Sequence, residues 1–160
     1  MSVRVAVLTI SDAGARGERE DRSGFAIVNW AREQGYEVVA HRVVPDETDQ
    51  IATQLIRLAD DGDVTIILTT GGTGLGPRDV TPEATRAVIE REAPGLAEAL
   101  RSAGLRQTPR AALTRGVAGT RGNTLIVNLP GSPSGVHDGL ALLAPLVEHI
   151  AALLRGETEH

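Results

Sequence analysis

Short apolar, β-branched runs alternate along this chain with polar segments that repeat at helical spacing. Residues 3–10 (VRVAVLTI) form one such run, residues 36–44 a second, and residues 64–70 (VTIILTT) a third. The third is continuous rather than alternating, as expected of a parallel strand covered by helices on both faces. Residues 11–22, rich in Gly, Glu and Arg, read as a mobile loop. Ser23 is placed to cap a helix running to about Gln34, with Gly35 as its stop. Pro45 ends the second strand, and a helix begins near Thr48 with Ile51, Leu55, Leu58 and Ala59 on one face.

In the second half, residues 71–80 form a glycine-rich loop. Thr81, Pro82 and Glu83 then read as helix cap, first helical position and early acid. That helix is expected to reach about Glu92, and Pro94 to start another that ends at Gly104. Residues 117–120 and 124–129 flank a hairpin-like turn at Arg121-Gly122-Asn123, with Gly116 weakening the first of the two strands. Residues 130–135 form a second loop, and a helix from Ser134 toward Leu154 is expected to kink at Pro145. Strands alternating with helices predict an α/β sandwich around a mostly parallel sheet. No repeat or linker divides residues 1–160, so one domain is expected.

Composition narrows the chemistry. The chain has 160 residues, a size suited to one domain, and its 41% hydrophobic and 2% aromatic content predicts a core of Val, Ile, Leu and Ala. It has no cysteine, which removes disulfides, thiolate metal sites and cysteine nucleophiles. Lysine is absent too: all 16 basic residues are arginines, which removes Schiff-base chemistry and the lysine of a Walker A loop. A net charge of -5 and the lone Phe25, Trp30 and Tyr36 argue against nucleic-acid binding. Residues 1–10 lack a signal-peptide pattern, and residues 139–154 are too short and too polar to span a bilayer. A cytoplasmic protein without a membrane partner is expected.

Three apolar runs lead into loops where open α/β sheets bind ligands. Ser11 and Asp12 follow the first, GGTGLGPRD follows the third, and PGSPSG follows residue 129. Glycines let backbone amides approach an anion, although tight turns use the same residues. The first glycine loop is neither a Walker A sequence, because Pro77-Arg78 stands where Lys-Ser/Thr belongs, nor a dinucleotide fingerprint, because Pro77 holds the third glycine position. Asp46 and Asp79 suffice for a magnesium ion that also takes water and phosphate ligands, and equally suit turn or cap positions. Arg78 reads either as a phosphate clamp or as a solvated cation. Thr73 and Ser132 read either as hydroxyl donors to phosphate or as turn formers. The histidines, His41, His137, His149 and His160, show no metal-ligand spacing.

At residues 69–85 the string TTGGTGLGPRDVTPEAT closely resembles the molybdopterin-binding signature of the MoaB/Mog family of molybdenum-cofactor biosynthesis. LTISD at residues 8–12, VPDE at 44–47 and AGTRGNTLIVNLPGSP at 118–133 agree in the same order. The resemblance spans nearly the whole chain. It implies a three-layer α/β/α fold, a homotrimer (a hexamer in some members) and the binding of molybdopterin. In active members it implies adenylyl transfer, in which molybdopterin and MgATP give adenylylated molybdopterin and pyrophosphate. On this resemblance Asp46 and Asp79 are the aspartates needed for Mg2+ and catalysis. Gly71, Gly72, Thr73 and Gly74 are the loop that binds phosphate and pterin. Ser11 and Asp12 match the first-strand loop of the site, and Pro130, Gly131 and Ser132 its late loop. The product would pass to a molybdate-insertion enzyme, which carries this domain within a much longer chain. The rival readings are a non-catalytic protein that stores or hands on molybdopterin, a molybdate-insertion enzyme, and a generic nucleotide-binding module.

Overall fold

The computed structural model describes residues 2–157; His160 lies outside them. Six strands form one sheet: β1 (Arg4–Ile10), β2 (Glu37–Val44), β3 (Ile66–Thr70), β4 (Arg91–Glu92), β5 (Ala118–Arg121) and β6 (Thr124–Leu129). Their order is β2-β1-β3-β6-β5-β4. The four strands from β2 to β6 in that order run parallel, while β5 and β4 join antiparallel at one edge. Residues 121–124 close the β5–β6 hairpin, with Gly122 in the left-handed position, φ +56°.

Strand side chains alternate between two apolar layers, as the two-residue period of a strand requires. On one face Val5, Val7, Leu68 and Val127 pack with α2 (Arg22–Glu33), α6 (Pro133–Leu143) and α7 (Val147–Leu154). On the other, Ala6, Leu8, Ile67 and Ile126 pack with Ile51, Leu55 and Leu58 of α3 (Thr48–Asp61) and with Ala84 and Val88 of α4 (Thr81–Val88). The result is the expected three-layer α/β/α arrangement, with aliphatic residues filling both layers.

Several boundaries differ from the sequence reading. The segment read as a loop contains a one-turn helix, α1 (Asp12–Ala15), capped by Ser11. Asp21 rather than Ser23 caps α2, its carboxylate accepting from the Gly24 amide. Thr81 lies inside α4, not at its cap, which is Val80. That helix stops at Val88 because Ile89 turns extended (ψ 144°) and the chain pairs with β5 through Arg91 and Glu92. A 3-10 turn at Pro109–Leu113, unforeseen in the sequence, follows α5 (Pro94–Leu105). Pro145 divides the last helix instead of kinking it, since α6 and α7 meet at 64°. Among the described residues, no single helix is long and apolar enough to cross a membrane.

Candidate functional site

The parallel strands β1, β3 and β6 end side by side, so the loops after Ile10, Thr70 and Leu129 emerge together. Hydrogen bonds stitch those loops: the Gly71 amide donates to Leu129 O at 3.3 Å, the Ser11 amide to Val44 O at 2.9 Å, and Thr70 Oγ1 to Pro130 O at 2.7 Å. A cleft of about 650 Å³ opens above them, lined from the expected set by Ser11, Asp46, Gly71, Gly72, Asp79 and Gly131.

Two left-handed residues shape its floor: Gly71 at φ +98° and Gly72 at φ +69°. Thr81 holds both from below, its hydroxyl donating to Gly71 O at 2.9 Å and its amide to Gly72 O at 3.1 Å. Behind Thr81 the hydroxyl of Thr85 donates to Thr81 O. The buried Asn128 side-chain Nδ2 in turn donates to Thr85 Oγ1 and Thr69 Oγ1. All three layers of polar support are satisfied, as buried polar groups must be. Asp79 folds back so that one carboxylate oxygen accepts from the Gly76 amide at 2.9 Å. Not every residue of the motif faces the cleft. Thr73 is buried, Gly74 turns its carbonyl toward Arg115, and Pro130 and Ser132 line a second cleft of about 400 Å³ between α5 and α6. Ser132 caps α6 by accepting from the Gly135 amide.

Asp46 and Asp12 brace each other: each backbone amide donates to the other's carboxylate, at 2.9 Å in both directions. Arg78 closes this unit from outside, bonding both Asp12 oxygens at 3.1 Å and Glu47 at 2.8 Å. Arg78, which the sequence reads either as a phosphate clamp or as a solvated cation, is committed to carboxylates. Its hydrogen bonds hold the Asp12 carboxyl below the usual carboxylate range. Burial holds Asp46 above that range; the negative charges of Asp12 and Asp79 add to the effect, and the hydrogen bond from the Asp12 amide opposes it. The donors offered to a metal are thus two oxygen-bearing carboxylates in one cleft, with negative charge converging on Asp46. That set fits magnesium, which takes one or two carboxylates and fills its shell with water and phosphate. Among the described residues no group of three or more candidate ligands occurs, so a cation held by protein alone has no cage here.

The sign of the Asp46 shift has a measurable consequence. Because its folded pKa lies above the ordinary value of 3.8, ionisation costs folding stability that is absent below pH 3.8 and fully felt above the folded value. Asp46→Asn is therefore expected to unfold at a higher temperature than the unsubstituted chain at neutral pH, with the difference vanishing in acid. Thermal unfolding of both proteins between pH 3 and pH 7.5 (roughly the range over which buried carboxylates titrate) checks this. A stability difference that grows toward acid would refute it.

Sequence reasoning missed the opposite wall. Asp21, besides capping α2, accepts from Thr9 Oγ1 and lies 2.6 Å from His41 Nε2. Ser23 Oγ donates to Gly131 O at 2.6 Å, tying α2 to the late loop. Arg19 and Arg22 line the same cleft. The available signal was the run Asp21-Arg22-Ser23-Gly24, whose aspartate is an equally good helix cap.

Residues 6–149 match the family model described as "Probable molybdopterin binding domain". The chain is 36% identical over 157 residues to a molybdopterin adenylyltransferase of Helicobacter pylori, covering 97% of this chain and 89% of that protein. It is 42% identical over 154 residues to the molybdenum cofactor synthesis protein cinnamon of Drosophila melanogaster, but spans only 26% of that protein's length. Among solved structures, the molybdopterin biosynthesis enzyme MoaB of Thermus thermophilus superimposes with a TM-score of 0.90 at 52% identity, covering 96% of this chain and 97% of that one.

Proposed function

The chain belongs to the MoaB/Mog family of molybdenum-cofactor biosynthesis, and from that membership we propose that it is a molybdopterin adenylyltransferase. In this reading an oxygen of the molybdopterin phosphate attacks the α-phosphorus of ATP, the bond to the β-phosphate oxygen breaks, and pyrophosphate leaves. The supporting observation is the convergence of the Gly71-Gly72 floor with Asp46 and Asp79 in one cleft.

The phosphate nucleophile is ionised at neutral pH, so the site needs no strong general base. Its task is to bring two anions together and hold them in line. The side-chain-free floor at Gly71 and Gly72 lets phosphate oxygens come close to the backbone. Asp46, fixed by the Asp12 amide, and Asp79, fixed by the Gly76 amide, present carboxylates that need no reorganisation before reaction. Asp46 and Asp79 would hold magnesium, which would supply positive charge against the repulsion of the two anionic reactants and the charge of the leaving group. Arg19 and Arg22 add the cations of the cleft wall. The acting form is a cytoplasmic homotrimer that hands its product to a molybdate-insertion enzyme.

Purified chain mixed with molybdopterin, ATP and magnesium is expected to release pyrophosphate, with no release when magnesium is chelated. Tight pterin binding without pyrophosphate would instead establish a protein that stores or passes on molybdopterin.

A further inference from the structure

The glycine loop is held by an arginine outside every motif that the sequence singles out. The turn from Gly74 to Asp79 closes on itself, the Asp79 amide donating to Gly76 O and the Gly76 amide to the Asp79 carboxylate. Those bonds fix the shape of the turn but not its place. Arg115 supplies the anchorage. Its Nε donates to Gly74 O at 2.8 Å and one Nη to Asp79 O at 2.8 Å, so a single guanidinium spans the start and the end of the turn. The other Nη donates to both Glu83 oxygens, at 2.8 and 3.0 Å, which locks the same group to the first turn of α4. The Arg115 amide adds a bond to Thr73 O at 2.7 Å.

The anchor is itself braced. Arg101 of α5 donates to the carbonyls on either side of Arg115, to Thr114 O at 3.3 Å and Gly116 O at 3.1 Å. Rigid support therefore runs from α5 through the 114–116 segment to the turn that carries Asp79. Only a planar fork with several N–H donors can satisfy Gly74, Asp79 and Glu83 together. A lysine ammonium is a compact point charge with three donors and cannot span them.

We infer that Arg115, braced by Arg101, is the positioning residue that sets the place of the Gly74–Asp79 turn and so of the Asp79 carboxylate. The structural part stands on the bonds above; its kinetic consequence rests on the adenylyl-transfer reading. Amide hydrogen exchange in the full-length protein tests the first part directly. In Arg115→Ala the amides of Gly76, Asp79 and Thr81 are expected to exchange about 10- to 100-fold faster, the loss of charge-assisted hydrogen bonds, while β1 and β3 keep their protection. Added guanidinium restores slow exchange in Arg115→Ala, and Arg115→Lys does not recover it. In the pyrophosphate-release assay kcat falls by a similar factor, molybdopterin affinity holds, and guanidinium rescues turnover. Unchanged exchange at those three amides, an equal rise in β1 and β3, or full recovery by Arg115→Lys would overturn the inference. Should the unsubstituted protein release no pyrophosphate, the adenylyl-transfer reading fails, and the exchange comparison still decides the role of Arg115.

Discussion

Asp79→Asn is expected to lower the rate of pyrophosphate release by at least about 100-fold, equivalent to roughly 2.7 kcal/mol of barrier, while leaving molybdopterin affinity largely intact. The substitution separates two roles of one side chain. Asp79 accepts from the Gly76 amide, and the asparagine amide oxygen can accept the same bond. The backbone carbonyl of Asp79 stays on Arg115. The turn therefore survives and only the negative charge is lost. Asp79→Ala removes both, so it is expected to add loosening of the turn to the loss of turnover. The check is a kinetic comparison of the two variants with pterin binding measured in parallel. Near-normal turnover in Asp79→Asn would take the carboxylate out of the mechanism. Equal loss of binding and turnover would mean that the charge serves the ground state as much as the transition state.

Local chemistry was legible in the sequence wherever one residue type decides the outcome. The unbroken run ending at Thr70 announces a buried parallel strand, and Gly71-Gly72 a backbone open to close approach, which the fold realises at positive φ. Competing signals misled it. Asp21 and Ser23 are both good helix caps, and a one-residue-type rule cannot choose between them. The choice is made by Thr9, His41 and Gly131, which are distant in sequence and engage Asp21 and Ser23 differently. Glu92 sits on a helical pattern yet joins β5, because pairing that sheet edge is a tertiary gain invisible to a local window.

The site shows the same division. Asp46, Asp79 and the glycines stand out in the sequence through the family resemblance, and the fold brings Asp46, Asp79, Gly71 and Gly72 into one cleft. Arg78 was plausible as a phosphate clamp because nothing local reveals that Asp12 lies within reach. Arg115 escaped notice because its partners, Gly74, Asp79 and Glu83, are brought to it only by the fold. The absence of lysine takes on meaning at this point. Arg4, Arg78, Arg101, Arg115 and Arg121 each bond more than one acceptor. Forked donors serve there in a way that a point charge would not.

Gly71→Ala is expected to cost the protein both stability and ligand affinity. Two penalties combine. At φ +98° an L-residue is strained, at a cost of about 1–2 kcal/mol. A β-carbon at Gly71 would also run into the carbonyl oxygen of Ile10, the last residue of β1. Ile10 is buried and its strand is paired on both sides, so the carbonyl cannot retreat without disturbing the centre of the sheet. Gly35 supplies the comparison. It sits at φ +82°, but a β-carbon there would meet nothing within 4 Å. Gly35→Ala therefore reports the conformational cost alone, about 1 kcal/mol. Gly71→Ala should lose at least about 2 kcal/mol more than that, in the range of overpacked interior sites. Denaturant unfolding of the two variants measures the difference. Because the Gly71 amide and carbonyl bind Leu129 and Thr81, the damage should spread to the late loop and α4. Ligand affinity should then fall with stability in Gly71→Ala while Gly35→Ala binds normally. Equal stability losses in the two variants would show that the Gly71 backbone yields, and that the close approach to Ile10 does not fix the floor of the cleft.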